Sequence, residues 1–266
     1  THKFWMNIIH KILWVLQKTG LLYLLTIIPL HSFRNLKGFP NLKRYSFSKT
    51  SHEILPAIGK KKGEVTFFYG CVMDNIYSKV HTATVRILQW NGYEVHLPKN
   101  QVCCGALDHH TGSRKKMEKL QLINQKVFEK FDTIIINSAG CGSEMKSIQT
   151  NGFGPKVKDL TEFLCEIDCN LPDIEIEDEE VYYDAPCHLV HGQSLDEQPK
   201  IILKIFGYNI VENNEEKLCC GAAGSYVFSH PNQSAEILQR KMNYIKNVSN
   251  IKSIVTANPG CQLQLQ

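Results

Sequence analysis

The 266-residue chain is 43% apolar, carries a net charge of +4 and contains ten cysteines. This apolar content excludes a disordered chain, and ten cysteines are too few for a disulfide scaffold of this length. The length fits one large domain or two of ordinary size. The chain starts at Thr1 and has no cleavable signal pattern, so we expect a fragment of a longer cytoplasmic polypeptide. In a reducing compartment, clustered cysteines indicate metal or redox chemistry.

The first 62 residues are strongly basic. They hold eleven lysines and arginines against one acid, Glu53, a net charge of +10, so the remaining residues must together carry −6. Two apolar runs lie in this segment, at 12–16 and 21–30, and the second is about half of the ~20 residues that a membrane-spanning helix needs. We expect a partly helical segment that either packs on another domain or lies on an anionic membrane surface.

Residues 63–169 alternate between strand and helix patterns. Short β-branched or aromatic runs predict buried strands, and two longer segments have the apolar spacing of helices with charged outer faces. The strands are expected at VTFFYG, YEVHLP and TIIIN, and the helices at 75–91 and 113–131.

Residues 170–266 repeat this order after an acidic connector at 170–180. The predicted strands are 181–184, 208–212 and 253–257, and the predicted helices are 194–206 and 232–248. Such alternation is typical of parallel sheets with right-handed crossovers. We therefore predict an α/β fold with a basic segment (1–62) and two duplicated repeats (63–169 and 170–266), each a short parallel sheet flanked by helices. The second repeat is expected to be truncated at its carboxyl end.

Four sequence blocks support the duplication. VTFFYGC matches VYYDAPC, the Gly-Tyr pair of ILQWNGYEV matches that of ILKIFGYNIV, CCGA occurs twice, and TIIINSAGC matches SIVTANPGC. In each repeat 31 residues separate the first cysteine from the doublet, and 36 or 40 separate the doublet from the last cysteine. Shared order and nearly shared spacing indicate an internal repeat.

Each shared cysteine lies just past the end of a predicted strand. Because the carboxyl ends of parallel strands lie along one edge of a sheet, four thiols per repeat are expected to converge. Gly105 and Gly221, which follow the doublets, allow a tight turn beside a bulky ligand. The predicted ligands are Cys71, Cys103, Cys104 and Cys141 in the first repeat and Cys187, Cys219, Cys220 and Cys261 in the second.

Four thiolates suit tetrahedral zinc or an iron–sulfur cluster on ligand type alone. The C-x(2–4)-C spacing common in zinc sites does not occur among these eight cysteines, and adjacent cysteines can reach two irons of one cluster. Both points favour iron–sulfur and leave zinc open at one site. Packing as small hydrophobic side chains does not explain two matched doublets. It is the expectation for Cys165 and Cys169, which have no counterpart in the second repeat.

Four histidines follow the cysteines closely, and three roles stay open for them: a hydrogen bond to a cluster, ligation of iron, or structural support. They are His109, His110, His188 and His191. Gln193 and Tyr226 are weaker candidates for contacts around a cluster.

The blocks CCGALDHHTG, PCHLVHGQ, CCGAAGSY and TANPGCQLQL resemble the iron–sulfur subunits of glycolate oxidase, within the CCG-domain family typified by the CCG-containing subunit of heterodisulfide reductase. The resemblance covers residues 65–266. It implies an electron-transfer subunit with iron–sulfur clusters, expected as [4Fe–4S], bound to the eight cysteines. It also implies a separate FAD flavoprotein that oxidises glycolate to glyoxylate, and a membrane acceptor such as a quinone. The family's amino-terminal ferredoxin-like domain has no counterpart here, as expected for a fragment.

The sequence departs from the fuller family pattern at two positions. Where heterodisulfide reductase-like members end each motif in C-x-x-C, this chain has Glu144 and Gln264, which disfavours disulfide-reducing chemistry. A related subunit for lactate or glycerol-3-phosphate oxidation, a heterodisulfide reductase-like enzyme and a zinc-stabilised docking scaffold remain alternatives. The sequence has no G-x-G-x-x-G loop and no flavin signature, so we expect no catalytic residues within it and no nucleic-acid partner. A cytoplasmic location with peripheral membrane contact is the expectation.

Overall fold

The computed structural model describes residues 2–27, 39–167, 169–171, 179–211, 215–248 and 250–266. In these residues a helical arm precedes two α/β units, each built on its own parallel-rich sheet. The predicted fold class is therefore confirmed. The exact boundaries at 62/63 and 169/170 remain a prediction, and most of the acidic connector lies outside the described residues.

The described residues of the arm contain three helices, α1 (His2–Lys18), α2 (Leu21–Ile27) and α3 (Phe47–Thr50). Gln17 ties α1 to the segment that follows it, since its side chain donates to Pro40 O at 2.8 Å and accepts from Leu42 N at 2.9 Å. Within the described part of the chain, none of the helices combines the length and hydropathy needed to cross a bilayer. Residues 28–30 of the apolar run fall outside that part.

The first sheet has five strands in the order β1-β3-β2-β4-β5. All neighbouring pairs are parallel except β1 with β3, which is antiparallel. The edge strand β1 comes from the basic segment, so part of that segment belongs to the first sheet. The strands are β1 (Ile54–Leu55), β2 (Gly63–Phe68), β3 (Tyr93–His96), β4 (Ile134–Ile136) and β5 (Val157–Asp159).

Both faces of this sheet are covered, as parallel strands require. Successive side chains of a strand point to opposite faces, so Phe67 and Ile135 pack in one core while Phe68, Ile134 and Ile136 pack in the other. The continuous apolar runs of β2 and β4 follow from this two-sided burial. The flanking helices are α4 (Val72–Ile76), α5 (Ser78–Trp90), α6 (Ala106–His110), α7 (Arg114–Phe128), α8 (Ala139–Lys146) and α9 (Leu160–Glu166).

The second sheet has three parallel strands in the order β7-β6-β8. This order matches β3-β2-β4 of the first sheet, so the duplication extends to topology. The strands are β6 (Glu180–Asp184), β7 (Asn209–Ile210) and β8 (Ser253–Thr256). The helices are α10 (Cys187–Val190), α11 (Glu197–Ile205), α12 (Tyr226–Ser229), α13 (Pro231–Lys246) and α14 (Pro259–Leu265).

A buried ion pair joins the second sheet to α13. The ammonium of Lys241 contacts the carboxylate of Asp184, and the two side chains are 0% and 1% exposed. Lys241 also donates to Leu218 O at 2.5 Å and to Glu216 O at 3.2 Å, while Thr256 Oγ1 donates to Asp184 Oδ2 at 2.7 Å. Hydrogen bonds therefore compensate for the desolvation of both charges.

We predict that Lys241→Met strongly destabilises the fold, because it leaves the Asp184 carboxylate buried without its cation. Removing one partner of a buried pair costs roughly 3–5 kcal/mol. The free energy of unfolding, measured by urea titration followed by circular dichroism, reports this loss. Lys246→Met on the same helix is the matched control, since Lys246 is exposed and its replacement should cost under about 0.5 kcal/mol. Equal stability of the two variants would contradict the prediction.

Candidate functional site

The four cysteines of the first repeat come together at the carboxyl edge of the first sheet. Cys71 directly precedes α4, the doublet lies between β3 and α6, and Cys141 lies in the first turn of α8. The Cys71 thiol donates to the sulfur of Cys103 at 3.3 Å, and the Cys104 thiol donates to that of Cys141 at 3.2 Å. The sequence-predicted convergence of these thiols is thus present in the structure.

The second repeat gathers its cysteines in the same way. Cys187 is the first residue of α10, and Cys261 lies in the first turn of α14. The Cys220 thiol donates to the sulfur of Cys261 at 3.0 Å, and the backbone N–H of Gly221 donates to the sulfur of Cys219 at 3.3 Å. Among the described residues no disulfide bond joins two cysteines.

The first cysteine of each doublet lies within hydrogen-bonding reach of its neighbouring thiols. Hydrogen bonding with Cys103 raises the pKa of the Cys71 thiol, and burial raises it further. Hydrogen bonding with Cys103 also raises the pKa of the Cys104 thiol. In the second repeat the hydrogen bonds to Cys219 raise the pKa of Cys187 and of Cys220. Those same bonds lower the pKa of Cys219. Cys219 is therefore the thiolate position of the second repeat, and in both repeats thiol protons must leave when a metal group binds.

The backbone turns that aim the doublets depend on glycine. Gly105 and Gly221 follow the doublets with φ of 93° and 85°, in the left-handed region that favours glycine. A side chain at Gly221 would also approach the carbonyl oxygen of Ser234 to 2.6 Å. The predicted tight turns are present.

In each repeat, a helix side chain is hydrogen-bonded to the backbone at the doublet, and the two side chains differ in charge. Asn124 on α7 accepts from Val102 N at 2.9 Å and donates to Cys103 O at 3.1 Å. In the second repeat the ammonium of Lys241 on α13 takes this place by donating to Leu218 O, the residue equivalent to Val102. The first doublet thus rests on a neutral amide and the second on a buried cation. Sequence analysis missed both residues.

His81 is a further support that sequence analysis missed. It is fully buried, and burial lowers its pKa to about 4, so its ring is neutral. Nε2 bonds to Tyr69 O at 2.8 Å and Nδ1 bonds to Asn137 Nδ2 at 3.1 Å, which requires the proton on Nε2. The ring therefore joins the end of β2, just before Cys71, to the end of β4, just before Cys141.

The four predicted histidines occupy different places. His188 lies with Nδ1 3.6 Å from the sulfur of Cys187, and its pKa is lowered by burial and then by His110. The rings of His110 and His188 are 5.4 Å apart, across the junction of the two repeats. His109 is paired with Glu144 at 2.9 Å, and His191 is exposed. The side chain of His188 therefore contacts the sulfur of a predicted ligand, whereas His191 contacts Cys187 through its backbone, its N–H donating to Cys187 O at 2.8 Å.

The two positions that depart from the C-x-x-C pattern are engaged in hydrogen bonds. The buried carboxylate of Glu144 accepts from Gln121 Nε2 at 2.8 Å as well as from His109. Gln264 Nε2 donates to Ser234 Oγ at 3.0 Å. Both residues therefore act in local support of the helices around each site.

Cys165 lies on α9, where its thiol contacts Gln198 O at 3.8 Å on the neighbouring α11 segment. Burial, followed by the nearby Cys169, raises the pKa of Cys165. A packing role for these two cysteines remains our prediction.

A separate group of oxygen and nitrogen ligands lies on the first sheet, where Glu64, Glu94 and His96 approach within 4.8 Å of one another. The ammonium of Lys61 lies 3.0 Å from Glu94 and 3.5 Å from Glu64. The Lys61 cation therefore pairs with both carboxylates, and we interpret the group as a surface ion-pair network.

The chemistry of the thiol groups fits a soft metal centre. Sulfur contacts of 3.0–3.3 Å are longer than the ~2.05 Å of a disulfide bond and bring several soft donors to one place. Five of the eight cysteines are buried, Cys141 and Cys187 are half-buried and Cys219 is exposed, so the second group is more open to solvent than the first.

Comparison with known proteins relates the chain to iron–sulfur proteins. It is 33% identical to the probable glycolate oxidase iron-sulfur subunit of Bacillus subtilis, over 94% of this chain and 59% of that protein. It is 31% identical to a subunit of the fumarate reductase (CoM/CoB) of Methanothermobacter marburgensis, over 90% of this chain and 49% of that protein. The glycolate oxidase iron-sulfur subunit of Escherichia coli is 26% identical, over 77% and 54% of the two chains. The chain spans about half to three fifths of the length of these relatives.

The model of the CCG cysteine-rich domain matches residues 65–146 and again residues 181–266. The first match contains β3, β4 and most of β2, the second contains β7, β8 and most of β6, and together they contain all eight matched cysteines. The chain therefore belongs to the CCG cysteine-rich domain family and carries that domain twice.

Proposed function

We propose that the chain is an electron-transfer subunit that holds iron–sulfur clusters in a glycolate-oxidising oxidoreductase complex. The observation that carries the proposal is the gathering of four thiols at one sheet edge in each repeat, with sulfur contacts of 3.0–3.3 Å. The similarity to the glycolate oxidase iron-sulfur subunits of B. subtilis and E. coli supports the choice of complex.

The cysteines bind the clusters in this proposal, and the rest of the chain keeps them in place. A [4Fe–4S] cluster supplies one-electron transfer when it is bound. The chain buries most of the sulfurs, holds the doublets on Asn124 and Lys241, and donates the Gly221 N–H to Cys219. The ligands would be Cys71, Cys103, Cys104 and Cys141 at one site and Cys187, Cys219, Cys220 and Cys261 at the other.

We assign the oxidation of glycolate to a separate FAD flavoprotein, from which this chain accepts electrons. A membrane quinone is the proposed final acceptor. A second candidate, a subunit of a fumarate reductase of the CoM/CoB type, is supported by the 31% identity to that protein of Methanothermobacter marburgensis. Disulfide-reducing chemistry is disfavoured, because Glu144 and Gln264 stand where the fuller family pattern has cysteines and both are engaged in hydrogen bonds within their own repeat.

The first test is metal analysis of the full-length chain purified without oxygen. We expect iron and acid-labile sulfide in similar amounts, little zinc, and an EPR signal on reduction, since thiolates with sulfide bind iron in clusters. Stoichiometric zinc without sulfide would refute the proposal and support a zinc-stabilised docking scaffold instead.

A second test separates ligands from packing cysteines. Cys220→Ser should abolish or distort the EPR signal of the second site and lower the iron content, because Cys220 contacts both Cys219 and Cys261. Cys165→Ser is the matched control and should leave iron content unchanged, since the Cys165 thiol contacts a backbone carbonyl. Equal iron loss in the two variants would contradict this ligand assignment.

We further propose that the arm lies on an anionic membrane surface. The outward face of α1 is apolar, with Trp5 62%, Ile12 54% and Val15 48% exposed, and the basic segment carries a net charge of +10. Apolar insertion combined with attraction of lysines to anionic lipid, about 1 kcal/mol per residue, holds a helix at the interface.

Co-sedimentation of the full-length chain with vesicles containing phosphatidylserine tests this proposal. We expect binding that weakens as salt rises, because surface charges are screened within about 10 Å at roughly 0.1 M salt. Ile12→Glu should reduce binding several-fold, while the control Ile205→Glu, at a residue 45% exposed on α11, should not. Binding that ignores both salt and Ile12→Glu would exclude the membrane role and favour a protein partner for this face.

A further inference from the structure

The second repeat holds one short segment of the first repeat by three hydrogen bonds. This segment, residues 138–140, lies between β4 and Cys141. The N–H of Ala139 donates to Ala257 O at 3.0 Å, Gln193 Nε2 donates to Ala139 O at 3.0 Å, and the N–H of Gly140 donates to Asn258 Oδ1 at 3.2 Å. The backbone directly before Cys141 is therefore positioned by the other repeat.

The other end of the Asn258 amide reaches the second site. Nδ2 donates to the sulfur of Cys261 at 3.4 Å. The orientation of the amide is determined by Gly140, because a backbone N–H can only donate and so must face Oδ1. One side chain thus contacts a ligand sulfur of the second site and the residue before a ligand of the first site.

The junction around Asn258 leaves little room for adjustment. Gly142 packs so closely against Gln193 that a side chain at Gly142 would lie 2.3 Å from Nε2. In the first repeat, the sulfur of Cys141 accepts a hydrogen bond from the Cys104 thiol at 3.2 Å. A change at Asn258 is therefore transmitted to the Cys141 segment instead of being absorbed by loose packing.

We propose that Asn258 is a positioning residue that couples the two cysteine sites across the repeat junction. This inference rests on the proposed function, in which both sites hold iron–sulfur clusters. A hydrogen bond to a ligand sulfur stabilises the more negative, reduced form of a cluster, so it raises the reduction potential. The acceptor end of the same amide holds the Cys141 segment of the first site.

The first repeat offers a matched control position. Ser138 occupies the place of Asn258 in the duplicated block, since each residue is the N-cap of the helix that carries the last cysteine of its repeat. The first repeat therefore has a hydroxyl at this position and the second has an amide, and the proposed coupling depends on the amide of Asn258. Ser138→Ala should leave the potential of the second site unchanged.

The test uses the full-length chain, loaded with clusters under anaerobic conditions, and EPR-monitored redox titration. Cys104→Ser isolates the second site and Cys220→Ser isolates the first. With the second site isolated, Asn258→Leu should lower the equilibrium constant for its one-electron reduction about tenfold, which corresponds to about 59 mV. With the first site isolated, the same change should alter the EPR line shape, because the Cys141 segment loses its acceptor.

Asn258→Asp separates the two contacts and serves as the second variant if Asn258→Leu fails to fold. Its carboxylate can still accept from Gly140 but cannot donate to Cys261, so it should lower the potential of the second site and preserve the line shape of the first. Absence of iron and sulfide from the unaltered chain would refute the proposed function itself. Loaded chains in which Asn258→Leu and Asn258→Asp both match the unaltered protein would refute only the role of Asn258.

Discussion

In each repeat, the thiols meet because three parallel strands end at the same edge of one sheet. Thirty-one residues separate the first cysteine from its doublet, yet β2 and β3 bring their carboxyl ends side by side in register. Parallel pairing requires the intervening helices, and in the first repeat these helices bury the sheet on both faces. The sulfur contacts therefore depend on the packing of the whole repeat.

The close approach of four thiols in each repeat changes the pKa values of some of them. Hydrogen bonds between neighbours raise the pKa of Cys71, Cys104, Cys187 and Cys220, so without a bound group these thiols keep their protons. Several adjacent thiolates would repel one another at low dielectric, and a positively charged metal group removes that repulsion. Binding of such a group and loss of protons are thus linked.

Duplication has preserved the sheet and the cysteines but not their surroundings. The neutral Asn124 supports the first doublet, whereas the second rests on Lys241 with its buried partner Asp184. Likewise Ser138 in the first repeat stands where Asn258 stands in the second. The two groups of four thiols therefore have different electrostatic environments, so under the proposed function the two clusters would differ in reduction potential.

The sequence predicts the repeats, three strands of each sheet and the positions of the eight matched cysteines, because each depends on local periodicity or on motifs that recur in order. It does not predict the short edge strands β1 and β5 of the first sheet, and the side chains that support the cysteines follow only from the packing of the elements. His81 acts through Tyr69 and Asn137, and Asn258 acts on Gly140 across 118 positions. Such hydrogen bonds join residues that are distant along the chain, and a single polar residue on a helix or in a turn leaves no periodic signal. Their partners become visible only when packing has brought the elements together.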